Sequence, residues 1–245
     1  MKRLLIGLLA GLLIGAAGVM LFLGWSGRHR LPGTALRPPD AGTASAGTVT
    51  VAIDEKFFDA LLGTIFQQLG SPQLKLSQAQ SASPFQPAMF QNSCNNVVVL
   101  NQQSGDVTTS VRFTGGKIVS PLAFTGSYNA LGKCVQFKGT AKSTVDLSFD
   151  ASKQTVFGAL NVDEVALENV NPIFNAFVTT FVRQAIDSQV NPFEVLRVSQ
   201  LALSLPIKQA DGTLKAAVKD VRSEIQEGSL KLLLTYDFSA QKNSG

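Results

Sequence analysis

The sequence predicts an α+β fold in which a long, curved antiparallel sheet packs on two amphipathic helices, preceded by one transmembrane helix. Three observations predict it: an uncharged apolar run near the N-terminus, two segments with helical apolar spacing, and many alternating segments separated by polar turns. These divide the chain into a signal-anchor helix (1–25), a flexible linker (26–47) and an exported α+β domain (48–240).

The N-terminal segment has the pattern of a membrane helix. Residues 4–25 carry no charge, and at about 1.5 Å per residue such a helix crosses a bilayer core. Lys2 and Arg3 precede the run, and Trp25 lies where an interfacial aromatic residue belongs. A cleaved signal peptide has a shorter apolar core, so the pattern favours an uncleaved anchor. The expected localisation is single-pass in the inner membrane, with the C-terminal domain in the periplasm or outside.

Three glycines recur every fourth residue in this segment: Gly7, Gly11 and Gly15. Small residues at this spacing let two membrane helices approach closely, which favours a homodimer. Glycine is also frequent in membrane helices that do not associate, so both interpretations stay open. The next residues, 26–47, are rich in Pro, Gly, Ser, Thr and Ala, as is typical of a disordered tether.

The exported domain is predicted to begin with a strand and a helix. Val49, Val51 and Ile53 alternate with other residues, which indicates a strand with one apolar face. Asp54 suits the N-cap of the following helix, and Gly70 lies where that helix ends. The apolar stripe of this first helix consists of Phe57, Phe58, Leu61, Leu62, Ile65, Phe66 and Leu69.

The middle of the chain, about residues 73–168, is predicted to form an antiparallel meander. Its alternating segments are separated by Ser-Gly-Asp, Gly-Gly and Asp-Ala-Ser-Lys turns. Strands return over residues 195–207 and 230–238. Residues 213–227 fit a helix by the spacing of their apolar residues and hairpins by their flanking turns, and the strand interpretation is preferred.

A second helix is marked at both ends. Asn171 and Pro172 supply an N-cap and a proline at the first helical position. Asn191 precedes Pro192, and a residue in that position disfavours helix. The apolar face between them is broad and consists of Ile173, Phe174, Phe177, Val178, Phe181, Val182, Ala185, Ile186 and Val190.

The two cysteines, Cys94 and Cys134, allow two interpretations. An even number in an exported domain favours one disulfide. Two buried free thiols in a cytoplasmic protein are the alternative. Neither cysteine belongs to a C-x-x-C pair, which makes redox catalysis an unattractive hypothesis.

Composition excludes several classes of activity. His29 is the single histidine, so one chain holds no serine–histidine triad, cysteine–histidine dyad or multi-histidine metal site. Lys2 and Arg3 account for two of the four net positive charges, which does not indicate a nucleic-acid-binding protein. Residues 126–133 fail the P-loop spacing. The sequence therefore predicts a non-enzyme without cofactor or metal.

The chain resembles the tubular lipid-binding (TULIP) superfamily of envelope proteins over about residues 48–238. The resemblance rests on element order, on the helix that opens Asn171-Pro-Ile-Phe, and on the closing segment from Glu227 to Tyr236. It implies a curved sheet that wraps a long helix and leaves an apolar groove for lipids. Bacterial members are often anchored through a lipidated cysteine, which is missing here.

The predicted function is to bind or transfer a lipid or another apolar ligand at a membrane. The chain has 16 phenylalanine residues against 2 tyrosine and 1 tryptophan, and phenylalanine supplies apolar area without a polar atom. The predicted groove lies between helices and sheet, lined by Phe57, Phe58, Leu61, Leu62, Ile65, Phe66, Phe174, Phe177, Val178, Phe181 and Val182. The alternative is an envelope scaffold or protein-interaction module without a cavity.

Overall fold

Antiparallel strands dominate the computed structural model, which describes residues 31–39, 47–76, 94–130, 133–168, 170–207 and 212–242. The strands are β1 (Thr34–Ala35), β2 (Thr48–Asp54), β3 (Gln73–Lys75), β4 (Val97–Asn101), β5 (Gln103–Ser104), β6 (Val107–Thr108), β7 (Arg112–Thr114), β8 (Lys117–Val119), β9 (Leu122–Ala130), β10 (Lys133–Asp150), β11 (Thr155–Glu168), β12 (Phe193–Arg197), β13 (Leu203–Ile207), β14 (Gly212–Gln226) and β15 (Ser229–Lys242). The α-helices are α1 (Glu55–Thr64) and α2 (Pro172–Val190). A π-helical turn, Ile65–Leu69, follows α1, and a 3₁₀ helix, Val198–Leu201, follows β12.

The larger sheet has the strand order β12-β11-β10-β9-β4-β3. Its long strand β10 pairs along one side with β11, from Lys138 to Asp150. On its other side, the first half of β10 pairs with β9 and the second half pairs with β8 and β1.

The smaller sheet has the order β13-β14-β15-β2. β14 pairs with β15 from Gly212 to Gln226, so the strand interpretation of residues 213–227 is confirmed. The register slips between Val218 and Asp220, where an extra residue enters β14. β2 then pairs with the first half of β15, opposing Val49 to Leu234.

Different elements cover the two halves of the larger sheet. α2 buries Val178, Val182 and Ile186 in a cluster that also contains Phe124 and Phe137. In the other half, residues of the larger sheet and the smaller sheet share two further clusters, for example Phe149 with Leu234, and Leu147 with Leu232. The smaller sheet, and not a helix, therefore covers the second half of the larger sheet.

This arrangement corrects the predicted fold class. The larger sheet does not pack on two amphipathic helices, because no residue of α1 is buried. Asp54 caps α1 as expected, accepting from the backbone N–H of Phe57 at 2.8 Å. The helix reaches the core mainly through the Phe58 ring, which lies edge-on to Phe113 with centroids 5.8 Å apart. The structure is dominated by strands, and the smaller sheet takes the place expected for the first helix.

The predicted transmembrane helix and localisation are also corrected. Within the described ranges, no helix is long and apolar enough to cross a bilayer. α1 has only 10 residues, and α2 carries Arg183 and Asp187 within its 19 residues. The expected single-pass localisation in the inner membrane is withdrawn on this finding. Residues 1–25, with the proposed dimer glycines Gly7, Gly11 and Gly15, lie outside the described residues.

The predicted disulfide is confirmed. Cys94 and Cys134 are bonded, with their Cα atoms 5.5 Å apart. Cys94 precedes β4 and Cys134 lies at the start of β10, so the bond ties two segments that β9 separates in the larger sheet. The alternative of two free thiols is excluded.

A short segment before β2 joins the two sheets. Leu36 donates its backbone N–H to the carbonyl of Leu147 in β10 at 3.0 Å, and Arg37 accepts from Ser223 in β14 at 3.1 Å. The Leu36 side chain packs against both clusters between the sheets. These residues lie within the stretch expected to be a tether, yet their backbone is held on both sides.

We expect Leu36→Ala to lower the free energy of unfolding by about 1–3 kcal/mol, because the side chain is half-buried between two layers. Thr34→Ala is the matched control, since Thr34 is exposed in the same segment and its loss is expected to cost about 0.5 kcal/mol or less. Urea unfolding measures both variants. Equal stabilities for the two would show that the segment does not join the sheets.

Candidate functional site: an apolar face left uncovered

The inner face of the smaller sheet is apolar from Leu230 to Ala240 of β15 and ends at Lys242, and the described residues cover only part of it. Successive even-numbered residues of β15 share one face, because side chains alternate along a strand. Leu230, Leu232 and Leu234 on this face are at most 1% exposed, within the clusters between the sheets. Phe238 is the second residue after Leu234 on the same face, and it is 54% exposed. Along β15, the cover supplied by the described residues therefore ends between Leu234 and Phe238.

Neighbouring strands continue the exposed region. Directly opposed residues of an antiparallel pair lie on the same face. Leu205 opposes Leu214, which opposes Ala240 two residues beyond Phe238. Leu205 and Val49 are each 49% exposed, and both carry large apolar side chains. We call Val49, Leu205, Ile207, Leu214, Phe238 and Ala240 the uncovered face.

A groove of about 470 Å³ runs along one side of this face. Its wall includes the 3₁₀ helix after β12, which the Tyr236 hydroxyl holds by donating to the carbonyl of Leu201 at 3.1 Å. None of the described residues that line it is charged, and most of their surface in the groove is apolar. The lining consists of Gly47, Thr48, Val49, Val51, Gln200, Leu201, Leu234, Tyr236 and Phe238.

A second, more open depression of about 570 Å³ lies on the larger sheet. It is lined in part by Lys138 and Glu168, whose charged groups are 3.4 Å apart. Water can enter this depression freely and the ion pair is already satisfied. The groove beside Phe238 is therefore the better candidate for an apolar ligand.

The predicted site residues of α1 and of the π-helical turn after it lie on a different surface. Phe57 is 55% exposed and Leu61 is 45% exposed, whereas the other four side chains, Phe58, Leu62, Ile65 and Phe66, are half-buried. Phe58 belongs to the cluster of Phe113 and Leu232. The stripe of α1 is thus open to solvent along one side and does not line the groove beside Phe238.

The predicted site residues of α2 belong to the core beneath that helix. Val178 and Val182 are 0% exposed. Phe181 stacks on Tyr128 with centroids 4.6 Å apart, and burial raises the pKa of the Tyr128 hydroxyl. The side chains of Phe174 and Phe177 lie outside the described part. α1 and α2 contribute to separate clusters, so the structure does not bring their stripes together, and ligand binding by these residues stays a prediction.

The residues of the uncovered face were not predicted as a site. The alternation of β13 and β15 was visible in the sequence, and Phe238 continues the series of Leu230 to Tyr236. Alternation shows that a face is apolar, but it does not show where the opposing layer ends. The extra information is the position of the 3₁₀ helix, which comes from a distant part of the chain.

The ionisable groups with shifted pKa values do not line the groove, and those other than Tyr128 lie on the surface. Hydrogen bonding to Lys142 at 2.8 Å lowers the pKa of Glu164 and raises that of Lys142. Glu194 likewise raises the pKa of Arg197. Among the residues that the structure describes, no three His, Cys, Asp or Glu side chains are grouped to hold a metal. The described lining of the groove is apolar and carries no charged side chain.

No protein-family model and no curated protein matches this sequence. Among solved structures, the crystal structure of a lipopolysaccharide binding protein is similar, with a TM-score of 0.30 and 11% sequence identity. The likeness covers 83% of this chain and 43% of that chain, so the present chain spans less than half of that protein. The resemblance of this chain to the tubular lipid-binding superfamily stays a prediction.

Proposed function

We propose that the protein binds an apolar ligand of the lipid class in the groove beside Phe238, and that it is a binding protein and not an enzyme. One observation carries the proposal: a groove of about 470 Å³, whose described lining residues carry no charge, continues into an exposed apolar sheet face. Pockets for small ligands have volumes of roughly 300–1,000 Å³ and predominantly apolar linings. The groove has both properties.

The exposure of this face is unfavourable unless something covers it. Phe238 and Val49 are each about half exposed, and Leu205 extends the same apolar surface. Burial of apolar surface contributes about 25 cal/mol per Å². Contiguous exposed apolar surface on a protein commonly marks an interaction site. A bound hydrocarbon supplies the missing cover without requiring a polar partner from the protein.

Phe238→Asp is expected to lower the affinity for cis-parinaric acid, a fluorescent fatty acid, at least tenfold, because a carboxylate at the rim must lose its water shell when the chain binds. Fluorescence titration of residues 1–245 measures the affinity. The matched control is Phe57→Asp, because Phe57 is 55% exposed and Phe238 is 54% exposed, while only Phe238 lines the groove. The control is expected to bind as the wild type does.

The opposite result for the two variants would place the binding site on another surface. If Phe57→Asp loses the fatty acid while Phe238→Asp retains it, the ligand binds on the stripe of α1 that the sequence predicted. Circular dichroism of both variants verifies that they are folded. A wild-type protein that takes up no fatty acid would exclude the proposed function.

A second candidate function is protein interaction without a ligand. The observation that favours it is α1 with its π-helical turn, where Phe57, Leu61 and Leu69 are exposed by 55%, 45% and 83%. An apolar helix face is a common surface for insertion into a groove of another protein. This candidate predicts that residues 1–245 are recovered without lipid and that added lipid does not bind.

A further inference from the structure

The strand orders of the larger and smaller sheets end in the outer strands β3, β12, β13 and β2, whose outer edges differ. An unpaired edge exposes backbone groups that can pair with another chain, and proteins commonly block it. Gln189 of α2 blocks β3, because its amide bonds to the N–H and the carbonyl of Lys75 at 3.0 and 2.6 Å. β12 carries the ion pair of Glu194 with Arg197, and β13 contains Pro206. Each of these three strands therefore has a feature that disfavours further pairing.

The fourth outer strand, β2, lacks such a feature in the part of the chain that the structure describes. Residues 48–53 contain neither a charged residue nor a proline, and all but one of them are β-branched. The strand pairs with β15 in one unbroken register, so no bulge bends its edge away. Thr50 and Ala52, in its middle, are exposed. This edge is therefore open to another strand.

The hydrogen bonds of the flanking residues show which backbone groups of β2 point outward. Before the strand, Gly47 accepts from the N–H of Tyr236 at 3.0 Å. After it, Glu55 donates to the carbonyl of Gly228 at 3.3 Å. Hydrogen-bonded pairs alternate along an antiparallel ladder, so the odd-numbered residues of β2 bond to β15. The even-numbered residues direct their N–H and carbonyl groups to the outer edge.

A second copy of β2 complements this edge when the two strands run antiparallel and Val51 opposes Val51 of the second copy. Thr50 then opposes Ala52, and their outward N–H and carbonyl groups pair in both directions. On the inner face of the sheet, Val49 opposes Ile53, so apolar side chains meet. Val49 is 49% exposed in a single copy and gains a neighbour in this arrangement.

We infer that the outer edge of β2 is an interface between two copies of this chain, in which their β2 strands pair antiparallel about Val51 and join the two smaller sheets into one. The inference goes beyond the proposed function, which requires one copy only. One short strand pair buries less surface than most stable interfaces, so the dimer is expected to dissociate on dilution.

Sedimentation velocity of residues 1–245 in a non-ionic detergent, over increasing protein concentration, measures the dimer. Thr50→Lys with Ala52→Lys opposes like charges at the edge and is expected to weaken dimerisation at least about fivefold. The matched control, Thr50→Lys with Ala52→Glu, opposes unlike charges in the same register. It is expected to dimerise within about twofold of the wild type. Association through the apolar residues 4–25 would not distinguish the two double variants.

A cysteine on the two-fold axis tests the register. Cys94 and Cys134 are bonded to each other, so an introduced thiol has no native thiol to react with. Val51→Cys is expected to give a disulfide-linked dimer on mild oxidation, because opposed Cα atoms at a non-hydrogen-bonded pair lie about 4.5 Å apart. Val49→Cys is the matched control, since position 49 of the second copy lies about 14 Å away along the strand.

Three results would overturn the inference and leave the proposed function standing. They are a wild type that stays monomeric up to its highest soluble concentration, double variants that dimerise equally, and a Val49→Cys variant that cross-links as readily as Val51→Cys. A monomeric wild type would leave the edge of β2 to a strand of a different protein. Circular dichroism of each variant verifies that it is folded.

Discussion

Phe124→Ala is expected to lower the free energy of unfolding by about 3–5 kcal/mol. Phe124 lies in β9 with 0% exposure, beneath α2 and within the cluster of Val178 and Val182. Its ring lies edge-on to Phe137, with centroids 6.3 Å apart. Truncation removes the buried ring and leaves a cavity that a sheet and a packed helix cannot easily close. Urea unfolding followed by circular dichroism measures the loss.

The matched control for this substitution is Phe238→Ala. The same atoms are removed from a side chain that is 54% exposed, so the expected loss is about 1 kcal/mol or less. Domains commonly have a total stability of about 5–15 kcal/mol, so the difference between the two variants is easily resolved. Similar losses for both would contradict the assignment of Phe124 to the core and Phe238 to an uncovered face.

Loss of the disulfide is expected to lower the free energy of unfolding by about 3–4 kcal/mol in the chain-entropy model. Cys94 and Cys134 are 40 residues apart, and their bond restricts a long loop in the unfolded chain. The measurement compares urea unfolding of the wild type with and without reductant, and of the double variant Cys94→Ser with Cys134→Ser.

Reductant is expected to destabilise the wild type and to have no effect on the double variant, which serves as its control. The double variant should match the reduced wild type to within about 1 kcal/mol, because serine is close in size to a thiol. A wild type whose unfolding is unchanged by reductant under denaturing conditions would contradict the bond between Cys94 and Cys134.

Local signals were sufficient to predict α2. The predicted N-cap at Asn171 and the stop before Pro192 enclose the observed helix, Pro172–Val190. Both signals act through the backbone of their own neighbours: a proline fixes φ at the helix start and restricts the residue that precedes it at the end. No distant contact is needed for either effect, so the boundaries were available from the sequence.

β14 shows why the spacing of apolar residues alone fits both a helix and a strand. Up to Val218, the apolar residues of β14 that face the larger sheet have even residue numbers. From Val221 onward they have odd residue numbers. The extra residue between Val218 and Asp220 causes this change of parity, since a bulge adds one residue to one strand only. A step of three residues between Val218 and Val221 also fits a helix. The pairing with β15 decides the matter, and that partner follows later in the chain.

The element that packs on each apolar face could not be predicted from such local signals. The stripe of α1 is apolar as its sequence indicates, but the smaller sheet supplies Leu230 and Leu232 to the place where that stripe was expected to pack. Likewise, the exposure of Phe238 depends on where the opposing layer ends, and the 3₁₀ helix that bounds the groove there comes from a distant part of the chain. Amphipathic spacing identifies a face, whereas its partner depends on residues far away in sequence.

The proposed function requires that the groove beside Phe238 holds a hydrocarbon chain. Its most direct test is native mass spectrometry of residues 1–245 recovered without added lipid, followed by organic extraction, on the wild type, Phe57→Asp and Phe238→Asp. We predict one acyl-chain adduct per protein in the wild type and in Phe57→Asp, and none in Phe238→Asp. A wild-type protein without adduct that takes up no added lipid, or an equal adduct on Phe238→Asp, would contradict the claim.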